Sequence, residues 1–364
     1  MIEAWKEIVI ASPDMFVGWG GLAIGLVFGF VVFRTNFCTM GSISDLLTFG
    51  DYRRFRSWML AIAVAIVGVG ALQYLGVMNS ADTMYMTPSF GWAAAIAGGL
   101  MFGVGMVLAG GCLSKNLVRA GGGDLRSLIV LIVTGLFAFM TIGGLLGPLR
   151  LIIFAPLTAD LTRYGLQTQG TGELVSKLTG IAPATAGLLV LGIAVAALLF
   201  YVFKDKGFRA STSHLVAGVV IGLCVVAGWF LMGLAYDDFA TVPVTPISLS
   251  FVRPTGDTLE YLMRATALGA PGFGIVTLAG TLLGSLLAAL STKSFSLTTF
   301  ANTSDTLRNL SGAALMGIGG VLALGCTVGQ GLTGISTLAM GSILATLAIV
   351  AGGVIGIKAM ERFA

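Results

Sequence analysis

The sequence predicts an all-α polytopic membrane protein, and three observations support that fold class. Of the 364 residues, 56% are hydrophobic and only 10% are charged, with a mean hydropathy of +0.98. Soluble domains carry about 25% charged residues, so this composition excludes a soluble enzyme and a disordered chain. Apolar runs recur along the chain with the length of roughly 20 residues that a helix needs to cross a bilayer core. The runs are continuous rather than alternating, which excludes a transmembrane β-barrel.

Nine transmembrane helices are predicted from these runs. In chain order they cover residues 16–33, 57–78, 91–110, 127–147, 181–203, 214–235, 268–291, 309–325 and 339–357. The eighth run is short and rich in glycine, which predicts a broken or tilted helix. Residues 1–15 are acidic rather than basic, so we expect no cleaved signal peptide and expect the first run to be kept as a span.

The distribution of Lys and Arg predicts an N-terminus outside and a C-terminus in the cytoplasm. Cytoplasmic loops of membrane proteins carry an excess of Lys and Arg. With the N-terminus outside, only six of the 20 Lys and Arg residues fall in outer loops, namely Lys6, Arg150, Arg163, Lys177, Arg253 and Arg264. The cations form no phosphate-binding stripe, so no nucleic-acid partner is expected.

Two fifteen-residue segments of the chain are similar to each other. Gly98–Cys112 (GGLMFGVGMVLAGGC) and Gly312–Cys326 (GAALMGIGGVLALGC) match at eight of fifteen positions without a gap, including the terminal Gly-Cys. The similarity extends more weakly backwards, where Gly25–Gly29 aligns with Gly218–Gly222. We therefore expect a single transmembrane domain, residues 1–364, built from two repeats.

The two repeats are expected to have opposite orientations in the membrane. The first covers about residues 16–150, the second about 214–357, and a linking helix at about 181–203 joins them. Because a single span separates them, the second repeat is inverted, as in many transporters. Cys112 and Cys326 would then approach the membrane midplane from opposite faces.

Each Gly-Cys is followed by a polar, glycine-rich segment that predicts a re-entrant turn opening a short helix. The segments are Cys112–Asp124 (CLSKNLVRAGGGD) and Cys326–Gly334 (CTVGQGLTG). Non-helical backbone at membrane depth is tolerated only inside protein or along a wet cavity, and helix N-termini favour anions. Besides the cysteines, the residues expected along this substrate pathway are Gly111, Gly325, Ser114, Asn116, Thr327 and Gln330. The alternative is that the glycines only end helices and allow close packing.

Three of the four cysteines are candidates for the pathway. Cys112 and Cys326 occupy equivalent repeat positions, and Cys38 lies at the inner end of the first span. Cys224 lies mid-span among aliphatic residues, as an inert packing residue does. None forms Cys-x-x-Cys, the spacing typical of a redox pair. Because a thiol is a soft and weak hydrogen-bond donor, three thiols along one path indicate a sulfur-containing substrate rather than a hard oxyanion.

The other polar residues allow fewer conclusions. Arg34 and Lys115 either face the cavity and balance an anion, or extend to the cytoplasmic interface. The single histidine, His214, begins the sixth span and is expected to be interfacial. No metal-ligand set and no Gly-x-x-x-x-Gly-Lys-Ser/Thr motif occur in the sequence, so no cofactor and no ATP hydrolysis are expected.

Three short motifs resemble those of the YeeE/YedE family of bacterial inner-membrane proteins. They are Arg34-Thr-Asn-Phe-Cys38, Leu108-Ala-Gly-Gly-Cys112, and Leu322-Ala-Leu-Gly-Cys326 with Gly329-Gln-Gly331. The resemblance covers nearly the whole chain. The chain departs from the family pattern at Leu324, which replaces a glycine, and at Ser114-Lys115, where thiosulfate-type members tend to have Thr-Gly.

The resemblance implies a fold, a substrate and a partner. The family includes thiosulfate uptake transporters, and the implied fold is an inverted-repeat helical bundle pinched at its middle by loops from both faces. Thiosulfate is implied to pass along Cys112, Cys326 and Cys38, in that order from the outside, by S–H···S hydrogen bonds without covalent transfer. A cytoplasmic sulfur-carrier protein of the TusA type is the implied partner, and the bacterial inner membrane is the implied location.

Three functional hypotheses follow. The leading one is a non-enzymatic transporter that takes up thiosulfate or a related sulfur-containing anion. The second keeps the fold but changes the cargo to another small anion, such as a selenium oxyanion or sulfite. The third is a membrane thiol oxidoreductase or sulfur-transfer protein, which needs covalent cysteine chemistry and would show a trapped persulfide or mixed disulfide during turnover.

Overall fold

The computed structural model describes residues 2–237 and 245–363, and within them the chain is almost entirely α-helical. The helices are α1 (Ile2–Ala11), α2 (Pro13–Thr35), α3 (Thr39–Ser44), α4 (Arg53–Tyr74), α5 (Trp92–Leu108), α6 (Leu113–Gly121), α7 (Leu125–Ile142), α8 (Gly147–Phe154), α9 (Thr171–Thr179), α10 (Pro183–Phe203), α11 (Lys206–Arg209), α12 (Thr212–Ala235), α13 (Val252–Leu268), α14 (Phe273–Ser291), α15 (Thr303–Leu322) and α16 (Met340–Phe363). Strands β1 (Ser89–Phe90) and β2 (Ala159–Asp160) form one short antiparallel pair.

Two short π-helical turns interrupt this pattern. They cover Asp45–Phe49, directly after α3, and Gly329–Gly334, between α15 and α16. Single π-helical turns are rare and occur often at functional sites. The second of them falls inside the segment after Cys326 that the sequence predicts to be a loop.

Eight helical segments of the described residues are long and apolar enough to cross a membrane. They are Pro13–Phe49, Arg53–Tyr74, Trp92–Gly121, Leu125–Ile142, Pro183–Phe203, Thr212–Ala235, Phe273–Ser291 and Met340–Arg362. Each coincides with one of the nine predicted spans. The predicted fold class, an all-α polytopic membrane protein, is confirmed.

The eighth predicted span, residues 309–325, is the exception. A helix does occupy this position, but α15 begins at Thr303, ahead of the predicted span, and its first seven residues have the polar sequence TSDTLRN. It is therefore not among the eight segments that meet the length and hydropathy of a span. Its apolar half packs against α5 and α7 inside the bundle, so it needs little lipid-facing surface of its own.

Helix α10 has the opposite character. It is strongly apolar but buries only Ala186 and Val202 among the described residues, and it packs mainly on α4 and α9. Most of its apolar surface therefore lies on the outside of the bundle, where lipid would cover it. The long helices on either side of it in the sequence form the interior.

Glycines let two pairs of long helices cross at backbone contact. On α2 they are Gly25 and Gly29, where an added Cβ would collide with the backbone of α14. On α12 they are Gly218 and Gly222, where it would collide with the backbone of α4. Small residues at a crossing allow van der Waals packing between membrane helices. The glycines that align in the sequence thus make the same kind of contact in both halves of the chain.

Helices α5 and α15 contact each other through a reciprocal set of four glycines. An added Cβ on Gly98 would lie 2.6 Å from the carbonyl oxygen of Gly319, and one on Gly319 would lie 2.6 Å from that of Gly98. The same exchange occurs between Gly105 and Gly312 at 2.7 Å. Helix α5 is thereby held directly against α15, and the two segments that carry the Gly-Cys motifs are the ones in contact.

Both of these helices end in the same turn. At the end of α5, Gly111 N donates to Met106 O at 2.8 Å and Gly110 N to Val107 O at 3.1 Å. This is a Schellman motif, which places the residue just after the helix cap (C′), here Gly110, in the left-handed region; its φ is 67°. A glycine adopts this conformation without steric cost.

At the end of α15 the same motif is formed with a leucine in the left-handed position. Gly325 N donates to Gly320 O at 2.8 Å, and Leu324 N donates to Val321 O at 3.1 Å. The φ of Leu324 is 56°. A left-handed non-glycine residue is strained by about 1–2 kcal/mol, so the departure of Leu324 from the family pattern has a cost in stability.

The first prediction concerns the α5–α15 contact. Replacing Gly105 by valine places side-chain atoms against the backbone of α15 and forces the helices apart, which destabilises the protein by about 1–3 kcal/mol. Gly192→Val in α10 is the matched control, because nothing lies within 4 Å of an added Cβ there. The melting temperature in detergent should fall clearly for Gly105→Val and much less for Gly192→Val; equal shifts would contradict the packing argument.

The second prediction concerns Leu324. Because glycine removes the left-handed strain, Leu324→Gly should raise the free energy of unfolding by about 0.5–1 kcal/mol. The reverse change at the equivalent position, Gly110→Leu, should lower it by a similar amount, since an added Cβ there meets nothing closer than 3.7 Å. Denaturation midpoints of the two variants should therefore move in opposite directions, and a shared direction would exclude strain as the cause.

Candidate functional site

Two buried thiols lie in contact near the ends of α2 and α5. Cys38 precedes α3 and Cys112 precedes α6, each as the residue before the first helical turn. Their Sγ atoms are 3.6 Å apart, within hydrogen-bond range for sulfur, and both cysteines are free. Cys112 is fully buried and Cys38 is 5% exposed. The structure thus brings together two of the three pathway cysteines, which are 74 residues apart in the sequence.

Polar groups surround this pair. The Cys112 Sγ lies 3.3 Å from the hydroxyl oxygen of Ser114, and Gly41 N donates to the Cys38 Sγ at 3.5 Å. A Cβ on Gly41 would collide with the guanidinium of Arg54, which also forms an ion pair with Asp45 at 3.3 Å. Arg54 is a cation near the Cys38 helix that the sequence indicated only as part of the cytoplasmic excess of positive charge.

Asn116 holds the first cysteine loop, residues 110–116, in its conformation. Its Nδ2 donates to the carbonyl oxygen of Gly111 at 2.9 Å and reaches that of Cys112 at 3.3 Å. Its Oδ1 lies 3.1 Å from the hydroxyl of Ser127. Asn116 is 1% exposed, so its role is to satisfy backbone groups that would otherwise be buried without partners.

The predicted pathway cations have different surroundings. Lys115 is half-buried and its Nζ donates to Asn36 Oδ1 at 2.6 Å, which places it beside the Cys38 segment. Arg119 Nη1 donates to the carbonyl oxygen of Gly110 at 2.8 Å. Arg34 is exposed at the last turn of α2, and no ion pair joins it to the described residues. Lys115 therefore lies near the thiol pair, whereas no ion pair among the described residues connects Arg34 to this region.

The second cysteine loop, residues 324–334, is buried throughout except for Leu324. Cys326 is fully buried, and Gly329 N donates to its Sγ at 3.4 Å. Gln330 Nε2 donates to the carbonyl oxygen of Ala323 at 2.6 Å. Asn116 and Gln330 thus each follow their cysteine by four residues and donate to a backbone carbonyl of the preceding turn, that of Gly111 in the first loop and of Ala323 in the second. The hydroxyl of Thr327 and Oε1 of Gln330 are buried without a hydrogen-bond partner in the described residues.

Cys326 has different neighbours from the thiol pair. Its Sγ accepts a hydrogen bond from Gly329 N, whereas Cys112 contacts Cys38 directly. The order in which a cargo would meet the three thiols stays a prediction.

Trp58 connects the surroundings of the two loops. Its ring is stacked on that of Phe37 with centroids 6.1 Å apart, and Phe37 precedes Cys38. A Cβ added to Gly331 of the second cysteine loop would collide with the same indole ring. Trp58 is 3% exposed, and its Nε1 has no hydrogen-bond partner in the described residues. The sequence analysis missed this residue because a tryptophan in an apolar span has no motif that distinguishes it from a packing residue.

Two cavities reach the second cysteine loop. The cavity that we call the Arg150 cavity has a volume of about 440 Å³, and its lining includes Arg150 and Tyr85. The one that we call the Asp257 cavity has a volume of about 430 Å³, and its lining includes Asp257 and Gly325. Leu324 lines both. In the described residues, no group of three or more His, Cys, Asp or Glu side chains could hold a metal ion.

Comparison with known proteins relates this geometry to transport. A protein from Escherichia coli (strain K12) known as thiosulfate transporter TsuA is 29% identical over 329 residues, which cover 86% of each chain. A protein of the same name from Spirochaeta thermophila is 28% identical over 325 residues, covering 86% of this chain and 90% of the relative. The probable transporter YedE of Salmonella typhimurium matches a shorter part, 110 residues at 33% identity, or 29% of this chain.

The similarity extends to a whole protein family. The family model described as sulphur transport matches residues 34–355, a range that contains Cys38, Cys112 and Cys326. The matched range also includes every described helix from α3 to α15. This chain is a multi-pass membrane protein that belongs to the sulphur-transport family.

Proposed function

We propose that this chain takes up thiosulfate, or a closely related sulfur-containing anion, across the bacterial inner membrane. The observation that carries the proposal is the contact of two buried thiols, Cys38 and Cys112, with Sγ atoms 3.6 Å apart in a member of the sulphur-transport family. Relatives that match 86% of the chain are known as thiosulfate transporters. A sulfur anion with a polarisable terminal sulfur is the cargo that such thiols suit.

The cargo moves along Cys326, Cys112 and Cys38 by hydrogen bonds from thiol to sulfur. A thiol is a weak donor, and this weakness is useful, because conduction needs sites that bind the ion and also release it. Because the Sγ atoms of Cys112 and Cys38 are 3.6 Å apart, a cargo sulfur atom that is hydrogen-bonded to one thiol is also close to the other. Ser114 and Lys115 add a hydroxyl and a cation near the same step.

The two cysteine loops enter the bundle from opposite membrane faces as parts of an inverted repeat. The matched glycine contacts of α2 and α12, the reciprocal contact of α5 with α15, and the equivalent Schellman turns support this arrangement. The equivalent roles of Asn116 and Gln330 support it as well. The first repeat covers about residues 16–150 and the second about 214–357, with α10 as the linking helix. Gly111 and Gly325 directly precede the cysteines in the two loops.

The N-terminus faces the outside and the C-terminus the cytoplasm. The excess of Lys and Arg in the loops assigned to the cytoplasm supports this orientation. In this orientation Cys326 lies toward the outside, and Cys38 lies toward the cytoplasm.

The surface beside Cys38 suits the cytoplasmic partner that the family resemblance implies, a sulfur carrier of the TusA type. The turn after α3 presents Phe49, whose side chain is 77% exposed, and Tyr52, which is 49% exposed. Exposed aromatic residues beside the exit of a pathway are typical of protein interaction sites.

The third prediction tests the orientation. Lys177 and Lys206 are exposed and lie on either side of α10, so cysteines placed there must be on opposite faces. In intact cells, a membrane-impermeant maleimide should label Lys177→Cys, and it should label Lys206→Cys only after permeabilisation. The four native cysteines are buried, so background labelling should be low. Labelling of Lys206→Cys alone would reverse the orientation.

The fourth prediction tests the cysteine pathway. Cys112→Ala and Cys326→Ala each remove the thiol that meets the cargo, so thiosulfate uptake into proteoliposomes should fall at least about tenfold, the equivalent of 1.4 kcal/mol. Cys224→Ala is the matched control: it removes a buried thiol that lies within α12, away from both loops, and should leave uptake unchanged. Uptake at the wild-type rate by either loop variant would refute the pathway.

The same preparation separates the alternative functions. Excess sulfite or selenium oxyanion should compete poorly with thiosulfate, and stronger competition by either anion would reassign the cargo. Mass spectrometry during turnover should find all thiols free. A trapped persulfide or mixed disulfide would instead support the oxidoreductase hypothesis.

A further inference from the structure

The Arg150 cavity contains a cation without an acidic partner. Among the ion pairs of the described residues none includes Arg150; its Nη2 donates to the carbonyl oxygen of Ile142 at 3.3 Å, and its Nε is buried without a partner. No Asp or Glu is among the described residues that line this cavity. A half-buried guanidinium is costly unless its charge is balanced, so the cavity is electrostatically suited to an anion.

Three further wall residues have polar atoms that lack partners. Tyr85 is 3% exposed and Gln330 and Ser342 are each 2% exposed, and all three line the Arg150 cavity. In the described residues the hydroxyls of Tyr85 and Ser342 and the Oε1 of Gln330 have no hydrogen-bond partner. Buried polar groups of native proteins are rarely left unsatisfied. The two hydroxyls can donate to a bound acceptor such as an anion, whereas Gln330 Oε1 only accepts and needs a donor such as water.

The protonation state of Tyr85 suits a donor. This residue lies in the connection between α4 and α5, outside the membrane-spanning helices, and burial raises the pKa of its hydroxyl above the ordinary value. The phenol therefore keeps its proton at neutral pH and can donate a hydrogen bond. No carboxylate of the described residues lines this cavity with Tyr85.

The neighbouring Asp257 cavity is less suited to an anion. It contains a carboxylate, Asp257, which lies 3.5 Å from Arg253 Nε. The pair neutralises Arg253, and the carboxylate repels negative ions. The two cavities share Arg150 and Tyr85 but differ in this acid, so the Arg150 cavity is the one that favours binding.

We propose that the Arg150 cavity is an outer binding site that holds a sulfur oxyanion by its oxygen atoms before its sulfur end reaches Cys326. This inference rests on the proposed function. Arg150, Tyr85 and Ser342 supply N–H and O–H donors, which suit the hard oxygen atoms of the anion. The pathway thiols suit its soft sulfur atom. The volume of about 440 Å³ exceeds the roughly 30 Å³ of a water molecule more than tenfold, which leaves room for the anion and some water.

Equilibrium binding to the purified full-length protein tests this site without requiring transport. We expect Arg150→Gln to weaken thiosulfate binding at least about tenfold in calorimetry, as the loss of a charge-assisted hydrogen bond does. Tyr85→Phe keeps the ring against Trp229, with centroids 6.3 Å apart, removes only the hydroxyl, and should weaken binding several-fold. Sulfate, which has the oxygens but no terminal sulfur, should compete for the site.

Two further variants make the outcome specific. Arg253→Gln removes an arginine that lines the Asp257 cavity but not the Arg150 cavity. It should leave thiosulfate affinity within about threefold of wild type. Cys224→Ala removes a thiol that lines neither cavity and should bind thiosulfate with wild-type affinity. Size-exclusion profiles identify misfolded variants, and Arg150→Lys, which keeps the charge, should recover part of the affinity.

The results distinguish a failure of this site from a failure of the proposed function. Wild-type affinity in both Arg150→Gln and Tyr85→Phe overturns the site, even if the wild-type protein takes up thiosulfate. Binding that depends on Arg150 in a protein that takes up no thiosulfate supports the site and overturns the proposed function. Affinity lost equally in Arg253→Gln and Arg150→Gln shows a general effect of net charge and overturns the site.

Discussion

The structure depends on one constraint: a backbone that leaves the helical conformation inside a membrane protein must find its hydrogen-bond partners in the protein or along a water-filled cavity. Both Gly-Cys segments interrupt helices in the buried interior, and both meet the constraint in the same way. A Schellman turn satisfies the last carbonyls of α5 and α15. A side-chain amide, from Asn116 in one loop and Gln330 in the other, then donates to a carbonyl next to the turn. Cys112 and Cys326 can therefore be held at fixed positions where the helices before them break and the next helical turns begin.

Close contact of helices fixes how the two helices that lead into the breaks lie against each other. Gly98 on α5 meets Gly319 on α15, and Gly105 meets Gly312, at backbone distance. The two segments therefore run antiparallel, and their Gly-Cys ends leave the contact in opposite directions. A bulkier residue at any of these four positions would separate the two helices and so displace the cysteine that follows each of them.

The sequence predicted the helices well because membrane spans depend mainly on length and hydropathy. At the eighth predicted span a helix is present, but α15 begins with the polar sequence TSDTLRN and packs against α5 and α7, so length and hydropathy alone do not mark it as a span. The sequence did not predict helix α13 (Val252–Leu268), which is too polar to resemble a span.

The repeat in the sequence identified the loops and their polar residues, but could not give their partners. That Cys112 contacts Cys38 depends on how α3 and α6 begin, which no periodicity reveals. The positions of Trp58 and Arg150 depend on tertiary contacts with Phe37 and with the carbonyl of Ile142. A tryptophan in an apolar run and an arginine in an outer loop are too common to be recognised from the sequence alone.

For the proposed pathway, the contact between Cys38 and Cys112 has a consequence for the rate of transport. Each thiol is the neighbour of the other, so on this pathway a cargo sulfur atom would exchange with an existing contact rather than fill an empty position. Exchange of one weak contact for another changes the free energy little in either direction. A pathway built from such exchanges has shallow minima, and shallow minima favour high turnover over tight retention.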